Sequence, residues 1–419
     1  MRIENLNTGI KGNSVQARAT VIWEDSERPT QEIYFQTDEQ FGPYLSCNPN
    51  AFLLATLLPA MRLAEKRVAI DAEVCPELQD GLLTAMSLIR EWFGPDRSFV
   101  RIESKPRFRP PSSFKLERAC SFLSGGIDSL ATLRANRLNI PPNHPASIKD
   151  CLFVQGFDIP LNETSDTAFR HILDSLSEVA KDADVTLIPI ATNIASLYDD
   201  MKFWMYEFHG AAIAAVAHSL SRRLTRAYVA SSCDVRNVIP WGSNPLLDPN
   251  YSSADLRIYY DSLRLSRLAK TEIVGDWDIA LQNLRVCVDN QEGLSKCLPN
   301  CGQCEKCIRT MVELVAVGKL SQTQAFPVND VSPEMLEKVY IRGPGHAAIY
   351  RDMLEPLGAQ GRHDLVQVIE IKLAEYEKLQ AWKEERDWRG VIRRFDRNYL
   401  GSNVIRFRNL LRRQSDVVS

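Results

Sequence analysis

Between about residues 117 and 275, short apolar runs alternate with stretches in which apolar residues recur every three or four positions. The runs Ala119–Leu123, Cys151–Gln155, Val185–Ile190 and Ala227–Ala230 predict four strands. Leu130, Leu133 and Leu138 mark a helix beginning near Ser129, and further helices are expected over Ala168–Lys181 and, with mostly small residues, Phe208–Leu220. Strands alternating with helices predict a parallel sheet covered on both faces, with ligands bound beyond the carboxyl ends of the strands.

The flanks read differently. Residues 1–110 carry candidate strands at Ala19–Trp23, Glu32–Phe35 and Val68–Asp71 and helices at Ala51–Ala64 and Pro76–Phe93, an α+β pattern. The proline-bearing stretch Lys105–Ser113 predicts a linker and places a domain boundary near residue 110. Residues 321–419 read as mostly helical, with an apolar stripe of Leu365, Ile369, Leu373 and Tyr376 along Asp364–Arg386. Beyond it Arg386, Arg389, Arg393, Arg394, Arg397, Arg406, Arg408, Arg412 and Arg413 interleave with Trp388, Phe395, Tyr399 and Phe407. Such a segment can grip RNA or an acidic partner. The commoner arrangement is a solvated face paired with Glu384, Glu385, Asp387 and Asp396.

Composition narrows the classes. At 419 residues, 45% hydrophobic and 25% charged, the chain is expected to be an ordinary globular protein of two or three domains. No apolar run approaches the roughly 20 residues of a membrane helix, and Met1-Arg2-Ile3-Glu4-Asn5 is not a signal peptide, so the expected location is cytoplasmic. A net charge of −3 does not favour nucleic acid as the general partner. Ten cysteines at such an address point to thiolates or metal rather than disulfides.

The most informative stretch is Ser124-Gly125-Gly126-Ile127-Asp128-Ser129, which follows an apolar strand and opens a helix. Paired glycines let backbone N–H groups converge on an anion, and a helix start adds its positive end. Ser124 and Ser129 can donate hydroxyl bonds to phosphate, whereas Asp128 is better suited to its magnesium ion. The spacing is not that of a Walker loop. It resembles the SGGxDS signature of the PP-loop ATP pyrophosphatases, the superfamily of asparagine, GMP and NAD synthetases and of 7-cyano-7-deazaguanine synthase. The fold this implies is α/β: a parallel-sheet core of adenine nucleotide α-hydrolase type over 111–320, between the α+β domain and the helical region. PP-loop relatives also carry a Lys-x-Glu-Ile segment, matched by Lys270-Thr271-Glu272-Ile273, and the resemblance places Lys270 near the nucleotide phosphates. The alternative is a solvated helix lysine beside Glu272.

The stretch after the fourth strand is expected at the same sheet edge. Asp234, Arg236, Asn237, Trp241, Ser243 and Asp248 are candidates for recognising a second substrate, with the indole able to stack on a flat ring. His209 is a weaker candidate on a small-residue helix.

Cys297, Cys301, Cys304 and Cys307 crowd together, with Cys287 upstream. Cys-x2-Cys turns present sulfurs to one tetrahedral ion, and zinc is the leading metal, with an iron–sulfur cluster as the alternative. The run resembles the zinc knuckle of 7-cyano-7-deazaguanine synthase, which implies Cys287, Cys301, Cys304 and Cys307 as ligands and Cys297 as the rival fourth. Over about residues 117–315 the resemblance implies ATP, Mg2+ and Zn2+ as cofactors and cleavage of ATP to AMP and pyrophosphate. A carboxylate, such as a 7-deazaguanine acid, would be adenylated and attacked by ammonia or an amine, including one on a protein partner, as in an antiphage system. No glutaminase module is recognisable, and position 2 is arginine rather than a nucleophilic cysteine. Two other readings stand beside it: an RNA-modifying enzyme of thiolation type, and a non-catalytic ATP-binding partner protein.

Overall fold

The computed structural model describes residues 1–107, 117–287 and 300–386. The chain forms two compact units, Met1–Val331 and Ser332–Ser419. The first is built on one ten-stranded, mostly parallel sheet: β1 Arg2–Lys11, β2 Ser14–Ile22, β3 Gln31–Asp38, β4 Arg67–Val74, β5 Arg101–Pro106, β6 Ala119–Phe122, β7 Ile148–Gln155, β8 Thr186–Thr192, β9 Arg226–Ala230 and β10 Arg257–Asp261. Their spatial order is β10-β9-β6-β7-β8-β3-β2-β1-β4-β5.

Within this sheet β8-β7-β6-β9-β10 are parallel to one another. Numbered from β6, their order is 3-2-1-4-5, the arrangement of a doubly wound α/β core. The strand order reverses between β6 and β9, which pair directly through Ala119↔Arg226 and Ser121↔Tyr228. In β7 six of eight residues are buried, as expected for a strand covered on both faces. β10 was not anticipated from the pattern, since Arg257 and Tyr259 interrupt its apolar positions on the exposed edge of the sheet.

Residues 1–107 extend this sheet rather than forming a body of their own. β3 pairs antiparallel with the outer edge of β8 through Phe35↔Thr192, Gln36↔Ala191 and Thr37↔Ile190. Side chains lengthen the seam: Thr192 donates its hydroxyl to Tyr34 O at 2.6 Å, and Asn193 Oδ1 accepts from Tyr34 N–H at 3.0 Å. The position near residue 110 therefore divides a sequence pattern, not two compact units. Likewise the second unit begins at Ser332 rather than 321, because Thr323 donates to Leu281 O at 2.7 Å and Ala325 O accepts from Asn300 at 2.8 Å.

Helix Pro49–Arg62 is apolar all round and buries every residue from Asn50 to Met61, as a helix without a polar face must. It packs on helix His209–Ser219, whose Gly210, Ala211, Ala212, Ala214 and Ala215 leave room for close approach. The start of that second helix is tied to the loop after β9: Gly210 N–H donates to Gly242 O at 3.0 Å, and Gly242 N–H to Met205 O at 3.1 Å.

The second unit pairs helix Pro344–Ala359 with helix His363–Arg386. Leu365, Ile369 and Leu373 are buried along the predicted stripe, and Tyr376 is half-buried. The arginines from Arg389 onward and their aromatic neighbours, like most of the linker, lie outside the described residues. Among the described residues no helix is long and apolar enough to cross a membrane.

A Cβ on Gly210 would lie 2.3 Å from Gly242 O, so Gly210→Ala must force the two backbones apart. Overpacking of this kind costs about 1–3 kcal/mol. Urea denaturation should show a lower midpoint for Gly210→Ala, whereas Gly358→Ala, in open space on the Pro344–Ala359 helix, should cost nothing.

Candidate functional site

β6 ends at Phe122, Leu123 N–H donates to Leu152 O of β7 at 2.9 Å, and the chain then turns through Ser124, Gly125 and Gly126 into helix Ile127–Asn139. Gly125 has φ +82°, and a Cβ there would also sit 3.2 Å from Arg285 Cβ and from Leu176 Cδ2. Only glycine meets both demands. Ser129 is buried; its hydroxyl donates to Gly126 O at 2.9 Å and accepts from Ser124 N–H at 3.3 Å, so it shapes the turn from inside. Ser124 is exposed. Gly126 caps the helix without a side-chain bond, leaving the first-turn N–H groups uncapped at the positive end of the helix.

Asp128, in that first turn, faces two cations. Its Oδ2 accepts from Arg267 Nη1 at 2.6 Å and its Oδ1 from Lys270 Nζ at 3.2 Å. Burial works to raise its pKa, but Arg267 and Lys270 outweigh it and hold the carboxyl below the usual range. The side chain is still a quarter exposed.

Ser266 caps helix Arg267–Gly275 by accepting from Ala269 N–H at 3.2 Å, and the i, i+3 spacing puts Arg267 and Lys270 on one face. Lys270 is fully buried, which excludes the solvated alternative. Its ammonium also donates to Ser231 O and, at 2.8 Å, to Ser231 Oγ. Ser231 follows β9 and Asp128 follows β6, so Lys270 bridges the crevice where the strand order reverses. Behind it, fully buried Glu313 accepts from Arg267 Nε at 3.1 Å and from Thr271 Oγ1 at 3.1 Å.

The loop after β9 is largely bonded to itself. Asp234 accepts from Arg236 N–H at 3.0 Å, from Arg236 Nη2 at 2.6 Å and from Asn237 Nδ2 at 2.8 Å. Asp248 is fully buried and accepts from Ser243 Oγ at 2.6 Å and Asn244 N–H at 3.0 Å; burial pushes its pKa up to about 7 against those bonds. Asp234, Asn237, Ser243 and Asp248 thus shape the loop, while Arg236 is exposed and Trp241 half-buried at its surface. Trp241 meets Tyr206 edge-on, centroids 4.7 Å apart, and His209 at 6.4 Å. Tyr206 belongs to a π-helical turn, Trp204–Phe208, a local widening often found at functional sites. Desolvation lowers the His209 pKa, and its Nδ1 lies 3.1 Å from Trp204 O.

The sulfurs of Cys287, Cys301, Cys304 and Cys307 all lie within 4.8 Å of one another. Cys287–Cys304 and Cys301–Cys307 are each 3.8 Å apart. That is far beyond a disulfide length of about 2.05 Å. It matches the edge of about 3.8 Å of a tetrahedron with metal–sulfur bonds of ~2.3 Å. Hydrogen bonds from Cys304 and Cys307 push the Cys287 pKa down, and theirs rise in return: adjacent thiols share protons that a cation would release. These four residues could hold a metal ion such as zinc. Cys297 lies outside the described residues.

Sequence reasoning missed Arg267, Arg285, Asn300 and Glu313. Arg267 left a trace, three residues before Lys270 behind a Ser cap; Glu313 and Asn300 act on residues distant in sequence. In comparisons with known proteins, no family model, curated protein or solved structure matches the chain.

Two outcomes follow from the geometry. Elemental analysis of the purified parent should find a bound metal ion, and Cys307→Ser should abolish or sharply reduce it and lower the melting temperature. For Asp248 the folded pKa is raised, so its contribution to stability is complete below about pH 4, falls as pH rises towards 7 and is level above. The stability of Asp248→Asn relative to the parent, read from urea midpoints, should therefore increase from pH 5 to pH 8, by at most about 1.4 kcal/mol per pH unit.

Proposed function

We propose that the chain is a PP-loop-type ligase that activates a carboxylate with ATP, releasing pyrophosphate and then AMP. The observation that carries this reading is the Ser124–Ser129 turn at the strand reversal, with Asp128, Arg267 and Lys270 converging beside it. The uncapped amides of the helix start would receive the β- and γ-phosphates. Asp128, kept ionised by its two cations, suits a magnesium ligand, and Mg2+ would supply charge neutralisation on the polyphosphate.

In the first step a carboxylate oxygen of the substrate attacks the α-phosphorus and the bond to the β-phosphate breaks. In the second an amine nitrogen attacks the activated carbonyl carbon, loses a proton, and AMP leaves. The chain's part is positioning and electrostatic stabilisation of the leaving pyrophosphate. Trp241, Tyr206 and His209 offer a surface for a flat ring, which is compatible with a 7-deazaguanine acid as substrate; ammonia or a protein amine would be the acceptor. The four cysteines favour one tetrahedral zinc in a closed, structural site; with all four sulfurs in one centre, thiol-transfer chemistry is disfavoured.

Purified protein given ATP, Mg2+, 7-carboxy-7-deazaguanine and ammonia should form AMP and pyrophosphate. Asp128→Asn should lower the rate by about a hundredfold or more. ADP as the product, or equal rates for parent and variant, would sink the reading.

A further inference from the structure

Asn300 precedes the first cysteine of the Cys301–Cys307 run and is fully buried. Its Oδ1 accepts from Val286 N–H at 2.8 Å and Cys287 N–H at 3.1 Å; its Nδ2 donates to Leu284 O and Ala325 O, both at 2.8 Å. All four hydrogen-bonding positions of the amide are thereby used. The segment it holds, Leu284–Cys287, has two attachments. At one end Cys287 contributes its sulfur to the four-cysteine centre. In the middle Arg285 crosses the phosphate turn: its N–H donates to Gly125 O at 2.8 Å and its guanidinium to Ser124 O at 3.4 Å. Its Cβ lies against Gly125, 3.2 Å from where a side chain there would begin, and its backbone O lies 3.6 Å from the corresponding position on Gly126, in ordinary contact.

We propose that Asn300 is a positioning residue that couples metal occupancy of the four-cysteine centre to the shape of the Ser124–Gly126 turn. Metal fixes Cys287 relative to Cys301, Asn300 transmits that fixed position to Leu284–Cys287, and Arg285 holds Gly125. Without the metal, the Cys287 sulfur is no longer tied to Cys301, and the segment bearing Arg285, two residues before Cys287, is held from the cysteine side by Asn300 alone. Such coupling is reciprocal: the factor by which metal tightens Mg-ATP binding is the factor by which Mg-ATP tightens metal binding. The nucleotide half rests on the proposed function; the structural half does not.

The test compares the full-length parent, metal-loaded and after chelation, with Asn300→Asp. Chelation should speed amide hydrogen exchange over 124–126 and 284–287 by tenfold or more and leave the Pro49–Arg62 helix unchanged. The Kd for Mg-ATP should rise by about five- to a hundredfold, and Mg-ATP should slow metal release to a chromogenic chelator. Asn300→Asp keeps all four cysteines but cannot donate to Leu284 O and Ala325 O; it should retain metal and bind Mg-ATP with an affinity nearly independent of metal. Unchanged exchange over 124–126 on metal removal overturns the coupling, as does loss of protection that extends to Pro49–Arg62. An Asn300→Asp variant that responds to metal as the parent does overturns the role of Asn300. If exchange responds while neither metal state binds Mg-ATP, the coupling stands and the proposed function fails. The chelation arm uses the parent chain, so the coupling is tested even if the variant does not fold.

Discussion

The candidate site depends on a set of charges held almost out of water: Asp128 between Arg267 and Lys270, with Glu313 behind Arg267. Burying an ion costs several kcal/mol unless it is paired and hydrogen-bonded, and removing one partner of a buried pair costs about 3–5 kcal/mol. Each member therefore constrains the others. Asp128 fixes the first turn of the helix after β6, Ser231 the end of β9, and Glu313 the helix following the cysteines. Three charged segments far apart in sequence, those of Asp128, of Arg267 with Lys270 and of Glu313, meet beside the end of β9, where Ser231 completes the bonds of Lys270.

The sheet supplies the place and the loops the shape. A strand reversal leaves a crevice because the crossovers on its two sides lead away in opposite directions. Here β6 and β9 flank that crevice, and Lys270 closes its floor. Residues 1–107 contribute indirectly: β3 covers the β8 edge, and helix Pro49–Arg62 is the one on which His209–Ser219 packs. That packing holds Gly210 against Gly242, and so fixes where Trp241 and His209 stand.

Much of this was legible in the sequence where the signal is local. The Ser124–Ser129 turn, the helix Pro76–Phe93 and the strands β6 to β9 follow from glycine chemistry and apolar periodicity, because each is decided by neighbours in the chain. The grouping of Cys287 with Cys301, Cys304 and Cys307 followed from a resemblance and the sulfur positions agree with it. What sequence did not reveal is the outcome of long-range competition. β3 pairs with β8 because an open strand edge was available, and no pattern in residues 31–38 announces the partner. Asp234 and Asp248 look like ligand-binding acids until their hydrogen bonds are counted, and those bonds go to their own loop. Glu313 stands in an ordinary helix, and Asn300, though it borders the cysteine run, gives no local sign of the segments its amide ties together; the importance of both lies in what is folded against them.

The hydrogen bonds of Lys270 set a limit on how it can act. An ammonium has three N–H donors, and those of Lys270 meet Asp128 Oδ1, Ser231 O and Ser231 Oγ. A phosphate oxygen can bond to it directly only by displacing one of them. The two partners from Ser231 belong to the loop that closes β9, whereas Asp128 has exposed surface and an alternative cation in Arg267. The bond to Asp128 is therefore the one to yield, and it yields most readily when a divalent cation takes the carboxylate. Without such an exchange Lys270 acts on a nucleotide only through its charge across the crevice. In the proposed reaction Asp128 would hold the divalent ion, whose charge would serve the polyphosphate, and the N–H of Lys270 that Asp128 gives up would be available to a phosphate oxygen. Arg267, held from behind by Glu313, stays where it is.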